Sequence, residues 1–241
     1  MNRVAGKAAV ITGGAGGLGM AFARALISEG ASVLLTDIAD ASEASAALGA
    51  DFALHDVTSE PDWERVMQTA TSRFGRVDVV VNNAGIALFA DIENTSLEQW
   101  ERIQRVNSTG TFLGCRAAVR AMREHGGSIV NISSVGAMLG LGPFAAYCAS
   151  KGAIRSLTKV VATHCKERGY AIRCNSVHPG PIDTAMASKA LADAGMNEIS
   201  GVPTARGTPE DVAWLVLYLA SDESRHVNGA EFLIDDAMAA S

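Results

Sequence analysis

With 241 residues, 48% of them hydrophobic, the chain is long enough for one well-buried domain and short for two. Its 26 acids against 20 bases give a net charge of −6 with no basic block, which speaks against nucleic acid as a partner. Cys115, Cys148, Cys165 and Cys174 make no C-x-x-C pair, the histidines lack ligand spacing, and no apolar run has the length of a membrane span or the pattern of a signal peptide; no metal site, redox pair or membrane anchor is expected, and a cytoplasmic location is the default.

The first element is an apolar run, Ala8 to Ile11, that ends in Thr12-Gly13-Gly14-Ala15-Gly16-Gly17-Leu18-Gly19 and continues into Met20 to Ile27. This reads as strand, glycine turn and amphipathic helix. Glycines let the chain turn sharply and let a pyrophosphate come close, while the helix start offers N–H groups and positive dipole. A second strand, Ser32 to Thr36, ends in Asp37, at the distance where a ribose-binding acid belongs. Its carboxylate suits free ribose hydroxyls and repels a 2′-phosphate, so NAD is expected over NADP.

Further strands are expected near Asp51 to Leu54, Val77 to Asn82, Ser128 to Ile132, Ala171 to Val177 and Glu231 to Ile234, with helices between them. Ser59-Glu60-Pro61 and Thr208-Pro209-Glu210 are helix starts, each a capping hydroxyl followed by proline and acid. The alternation predicts an α/β fold: one domain over 1–241, a Rossmann-type doubly wound parallel sheet of about seven strands covered by helices on both faces. Right-handed crossovers then bring the glycine turn, Asp37, Asn82-Asn83-Ala84-Gly85, Ser133-Ser134 and His178-Pro179-Gly180 to one sheet edge, where ligands bind.

Tyr147-Cys148-Ala149-Ser150-Lys151, placed on a helix, stacks a phenol and an ammonium one turn apart. A free phenol ionises only near pH ~10, and a cation held beside it lowers that value, which makes a base. Each piece also has a plainer role: a solvated pair for Tyr147 and Lys151, a turn for Asn82 and Asn83, a cap for Asp56, local backbone bonding for Ser133 and Ser134, a kink for Asn107.

Taken together, Thr12-Gly13-x-x-x-Gly17-x-Gly19, Asp56-Val57, Asn82-Asn83-Ala84-Gly85, Asn107, Ile132-Ser133-Ser134, Tyr147-x-x-x-Lys151 and Pro179-Gly180 with Ile182 and Thr184 resemble the short-chain dehydrogenase/reductase family over essentially the whole chain. The fragments His55 to Trp63, Tyr170 to Pro179 and Ala220 to Ser224 look most like bacterial 3β/17β-hydroxysteroid and cyclic-alcohol dehydrogenases. The resemblance implies Tyr147 as acid/base, Lys151 on the nicotinamide ribose and lowering the tyrosine pKa, Ser134 on the substrate oxygen, and Asn107 anchoring a proton-relay water. It also implies cofactor contacts from Gly13, Gly17, Leu18 and Gly19, from Asp37, and from Asp56 and Val57 beside the adenine. Asn83, Ala84 and Gly85, then Pro179, Gly180, Ile182 and Thr184, complete that set.

The expected substrate walls, Ile86 to Ala90, Val135 to Tyr147 and a covering segment near 181–206, are apolar, with Leu88, Phe89, Met138, Leu139, Leu141, Phe144 and Met186, and only Lys189 and Arg206 as bases in the last stretch. Such side chains also pack on one another. The expected reaction is hydride transfer between NAD and an apolar, cyclic or steroid-like secondary alcohol or its ketone. A 3-oxoacyl-thioester reductase shares the motifs but typically takes NADPH, and a non-catalytic nucleotide sensor has no need of the full Ser134, Tyr147 and Lys151 set. Many relatives end in a Val-Asp-Gly-Gly-like strand and turn, where this chain has Ile234-Asp235-Asp236-Ala237, which puts the C-terminal contact in doubt. In the family that strand and the preceding helix form a subunit interface, so the resemblance implies a homotetramer; the apolar face Val212, Leu215, Val216 and Leu219 fits such an interface or the chain's own sheet.

Overall fold

The computed structural model describes residues 2–185, 188 and 206–240. Its strands are β1 (Ala8–Thr12), β2 (Ser32–Asp37), β3 (Asp51–Leu54), β4 (Val79–Asn82), β5 (Gly127–Ile132), β6 (Ile172–Pro179) and β7 (Glu231–Ile234), all parallel in the order β3-β2-β1-β4-β5-β6-β7. The helices are α1 (Gly17–Ser28), α2 (Ser42–Ala47), α3 (Glu60–Phe74), α4 (Leu97–Ile103), α5 (Gly110–Met122), α6 (Ala145–Glu167) and α7 (Pro209–Ala220). The strand order reverses between β1 and β4, which opens a crevice at the carboxyl ends of the strands. This is the expected doubly wound α/β fold.

Strand ends differ from expectation by one or two residues, for local reasons. β4 starts at Val79 rather than Val77, because Asp78 turns its carboxylate onto the Ala8 N–H (3.0 Å) and Arg76 (2.5 Å). β6 runs two residues past Val177, because His178 and Pro179 still pair with Leu233 and Ile234 of β7.

The central strands are apolar on both faces since successive side chains point to opposite sides. Ala9 and Ile11 of β1 join the cluster containing Phe22 and Leu26 of α1 and Val212 and Val216 of α7, whereas Val10 joins Trp63, Val66, Leu113 and Val161 from α3, α5 and α6. Both expected helix starts are capped: Ser59 Oγ accepts from Asp62 N at 3.3 Å, and Thr208 and Asp211 form a reciprocal capping box. Of the α7 face expected either at an interface or on the sheet, Val212, Val216 and Leu219 are fully buried within the chain, against α1 and the sheet, and Leu215 is partly buried there. The large apolar side chain that α7 leaves in solvent is Trp214, 56% exposed. No helix among the described residues is long and apolar enough to cross a membrane.

Candidate active site

The glycine turn is fixed by main-chain approach. Gly13 has φ +68°, and a Cβ there would lie 2.8 Å from Asn83 Nδ2 and 2.9 Å from Ala84 Cα. At Gly19 a Cβ would fall 2.3 Å from the Gly13 carbonyl oxygen. The asparagine turn after β4 clamps this loop: Asn83 Nδ2 donates to the carbonyls of Thr12 (2.9 Å) and Gly13 (3.2 Å), and Thr12 Oγ1 accepts from the N–H groups of Asn83 and Ala84, both at 3.0 Å. Sequence reasoning left Thr12 off the site, although its place at the end of an otherwise apolar strand was the available signal.

The turn fits a dinucleotide. α1 starts from Gly16 with no side-chain cap and no acid in its first turn, so its N-terminal dipole is uncompensated. A Cβ on Gly17 would meet nothing nearer than Pro209 at 3.9 Å and Thr184 at 4.0 Å, which leaves room for a phosphate and brings Thr184 close to Gly17. Asp37 stands beside the turn, accepting from Ala15 N through Oδ2 and Ala39 N through Oδ1, both at 3.0 Å; these bonds aim the carboxylate and leave lone pairs for ribose hydroxyls.

The chemical groups sit on β5 and α6 and are held by side chains. Lys151 is 4% exposed and donates from Nζ to the Ile132 carbonyl at 2.9 Å. Ser133 Oγ donates to the Lys151 carbonyl (2.9 Å), tying strand end to helix, while Ser134 hydrogen-bonds the Tyr147 phenol. Asn107 lies in a π-helical turn, Gln104–Thr109, a geometry frequent at functional sites. Its Oδ1 accepts from Ile86 N (2.8 Å) and its Nδ2 donates to Ile86 O (2.9 Å) and Ser150 Oγ (3.0 Å), so both side-chain donor hydrogens are engaged by the protein. Gly85 joins the two halves: a Cβ there would be 3.2 Å from Asn107 Oδ1 and 3.5 Å from Lys151 Nζ.

One expectation is corrected. The Tyr147 phenol is pushed up, not down, because burial outweighs the hydrogen bond from Ser134. Lys151 does not offset this; its Nζ lies 5.6 Å from the tyrosine ring centroid and is turned to Ile132, and burial pulls the amine itself down to about 8. Sequence reasoning brought His178 to this edge but gave it no role; it is fully buried on β6. Its Nδ1 lies 3.2 Å from the Ser134 carbonyl and its Nε2 2.8 Å from Ser176 Oγ, an arrangement that fixes the backbone carrying Ser134. Burial lowers its pKa.

The remaining predicted residues divide by role. Asp56 Oδ1 accepts from Thr58 N (2.9 Å) and Oγ1 (2.8 Å), and the Val57 carbonyl accepts from Trp63 Nε1 (3.0 Å), so this pair shapes the entry to α3. Pro179 ends β6. A Cβ on Gly180 would stand 2.8 Å from Asp235 Cα, so glycine there serves the β6–β7 approach. Ile182 is buried in the α1–α7 cluster, and its bridge to Gly207 pins together the two ends of the 181–206 segment. Most of that segment, including Met186 and Lys189, lies outside the described residues. On the other wall, Phe89, Phe144 and Tyr147 form a run of rings with centroids 4.6 and 5.8 Å apart, held by the bond from Ala90 N to Pro143 O (3.0 Å). Tyr147 therefore sits at the end of an apolar aromatic wall.

A family model described as enoyl-(acyl carrier protein) reductase matches residues 13–238. A 3-beta-hydroxysteroid dehydrogenase of Comamonas testosteroni is 41% identical over 247 residues, covering 98% of this chain and 97% of the relative. An NADP-dependent (R)-specific alcohol dehydrogenase of Lentilactobacillus kefiri is 40% identical over 244 residues, 97% of each chain. Among solved structures, that of levodione reductase aligns with a TM-score of 0.91 at 31% identity over 98% of this chain and 99% of that one.

Proposed function

The chain belongs to the short-chain dehydrogenase/reductase family of oxidoreductases, and from that premise we propose that it interconverts an apolar, cyclic or steroid-like secondary alcohol and its ketone with NAD. The observation that carries this reading is the Ser134–Tyr147 hydrogen bond beside a desolvated Lys151, at the end of the Phe89–Phe144 wall. When bound, the nicotinamide dinucleotide supplies the hydride acceptor or donor. The glycine turn from Gly13 to Gly19 would hold its pyrophosphate, Asp37 and Asp56-Val57 its adenosine, and Lys151 the ribose nearer the chemistry.

In the oxidative direction, the positive charge that the oxidised cofactor would bring beside the raised phenol would lower it again, and Tyr147 would then take the proton from the alcohol oxygen while Ser134 donates a hydrogen bond to that oxygen as its charge develops. Asn107 holds the Ile86 main chain beside them and is proposed to lead the proton outward through a water at its backbone. In reduction Tyr147 returns the proton to the carbonyl oxygen. The apolar wall takes the ring of the substrate, a reading supported by the substrate class named for the Comamonas relative.

NAD rather than NADP follows from Asp37, whose carboxylate repels a 2′-phosphate; the Lentilactobacillus relative is NADP-dependent, so the cofactor assay is decisive. Purified protein assayed with steroids, cycloalkanols and polyols is expected to form NADH from the first two classes, with kcat/KM for NAD above that for NADP. Turnover confined to polyols, or NADP preferred, overturns the respective half of the reading. We also propose a homotetramer, for which Phe112 of α5, Val160 of α6 and Trp214 of α7 offer exposed apolar side chains; a stable monomer in light scattering overturns that.

A further inference from the structure

At the sheet edge opposite Tyr147, the strand starts and the ends of α3, α5 and α6 surround an open cleft of about 1170 Å³. Its lining carries six Lys and Arg side chains against two Asp, on a chain whose net charge is −6. Three cations are neutralised: Lys7 by Asp222, Arg76 by Asp78 and Lys159 by Glu231, each at 2.5 Å. Lys166, Arg173 and Arg225 have no carboxylate at ion-pair distance among the described residues.

Helix dipoles explain only part of this. Lys166 lies in the last turn of α6, where a cation offsets the carbonyl end of the helix. Arg173, on β6, reaches the carbonyl end of α7, whereas Arg225 follows the short 3-10 turn Asp222–Ser224 and serves no α-helix end. Arg173 is half-buried; its Nη2 donates to the carbonyls of Leu219 (3.0 Å) and Ser221 (3.2 Å), and its buried Nη1 meets no acceptor. Asp222 acts on Arg173 and Arg225 through space without pairing with either, and a guanidinium oriented by backbone beside two exposed cations outside ion pairs suits phosphate oxygens.

We propose that this cleft binds a small polyphosphate anion, at a site distinct from the dinucleotide crevice and independent of the function proposed above. The volume exceeds what one phosphate needs, and three cations outside ion pairs suit an anion that carries several charges on linked phosphates.

The probe is sodium tripolyphosphate, titrated calorimetrically at fixed ionic strength with and without saturating NAD. Binding is expected in both conditions, and the exposed double charge reversal Lys166→Glu/Arg225→Glu is expected to weaken it at least about tenfold. Should charge reversal disturb folding, Lys166→Gln/Arg225→Gln is the milder variant, with an expected loss of about threefold. Absence of binding, equal binding by the variants, or binding abolished by NAD overturns the proposal. Loss on adding NAD with no effect of the variants would assign the anion to the glycine turn, which separates failure of this inference from failure of the NAD reading.

Discussion

Between β1 and β4 the active edge of the sheet is shaped by main-chain approach, whereas between β5 and α6 it is shaped by desolvated side chains. On the first side an added Cβ at Gly13 or Gly19 would stand 2.8 or 2.3 Å from its nearest neighbour. On the second, Lys151 reaches the Ile132 carbonyl, Asn107 brackets Ile86, and Tyr147 meets Ser134. The steric side tolerates no added atom and the polar side no lost one. Folding and cofactor binding are therefore coupled on the first side, while chemistry on the second is separable from both.

The largest effect tests that separation. Tyr147→Phe removes one oxygen, and turnover is expected to fall about a thousandfold, or about 4 kcal/mol in the barrier. Dinucleotide affinity, read by fluorescence titration, should stay within a factor of about two of the parent. A variant keeping a tenth of the parental rate would remove Tyr147 from the chemistry.

Gly19→Ala is the converse. Its methyl would press on the Gly13 carbonyl and Gly14 Cα, both backbone and unable to rotate away. Stability is expected to drop by about 2–3 kcal/mol, with cofactor binding lost in the same variant. A melting temperature near that of the parent alongside lost binding would show that the two properties are less coupled than the geometry requires.

The steric side was the more legible of the two in sequence, because its causes are local. A strand, a glycine turn, a helix and an acid after the next strand lie within 37 residues, and the alternation of segments points to a parallel sheet. The polar side was legible as residue types on a helix and after a strand, Tyr147 and Lys151 one turn apart and a serine pair after β5. It was not legible as environment. Burial of Tyr147 and Lys151 depends on elements far apart in the chain, so the direction of the tyrosine shift was missed. The bond from His178 to the Ser134 carbonyl joins residues 44 apart, and no spacing rule reports it. The α7 stripe was ambiguous for a different reason: an apolar face reads the same whether it meets its own sheet or another subunit.

Acid sharpens the comparison by attacking the steric side through its one buried imidazole. His55 packs edge-on against Trp63 at 4.5 Å with Nδ1 2.9 Å from Thr36 Oγ1, and burial lowers its pKa from 6.5 to about 4. The unfolded chain therefore takes up a proton first, so stability is full above pH 6.5 and is lost as pH falls toward 4. Between pH 7 and 5 the loss attributable to His55 is about 2 kcal/mol. Urea denaturation at the two pH values measures it. His55→Gln should flatten the slope, with a remainder of the same sign from His178, whose pKa is also lowered; an unchanged slope would place the proton uptake elsewhere.

The smallest effect concerns a position where the backbone adopts a glycine conformation without a glycine. After β7, Asp236 and Ala237 have φ of +50° and +61°, close to the +68° of Gly13. The turn is held by Met238 N to Asp235 O (3.1 Å) and Ala239 N to Asp235 Oδ2 (2.8 Å). An L-residue in this region costs about 1–2 kcal/mol, and glycine removes that cost while adding freedom to the unfolded chain worth about half as much. Ala237→Gly is therefore expected to stabilise the protein by about 0.5–1 kcal/mol, read as a higher urea midpoint at unchanged slope, since the exposed methyl has little packing to lose. A lower midpoint would mean that the methyl is covered, which in an exposed turn beside β7 points to contact with a second subunit, and the comparison would then extend beyond the single chain.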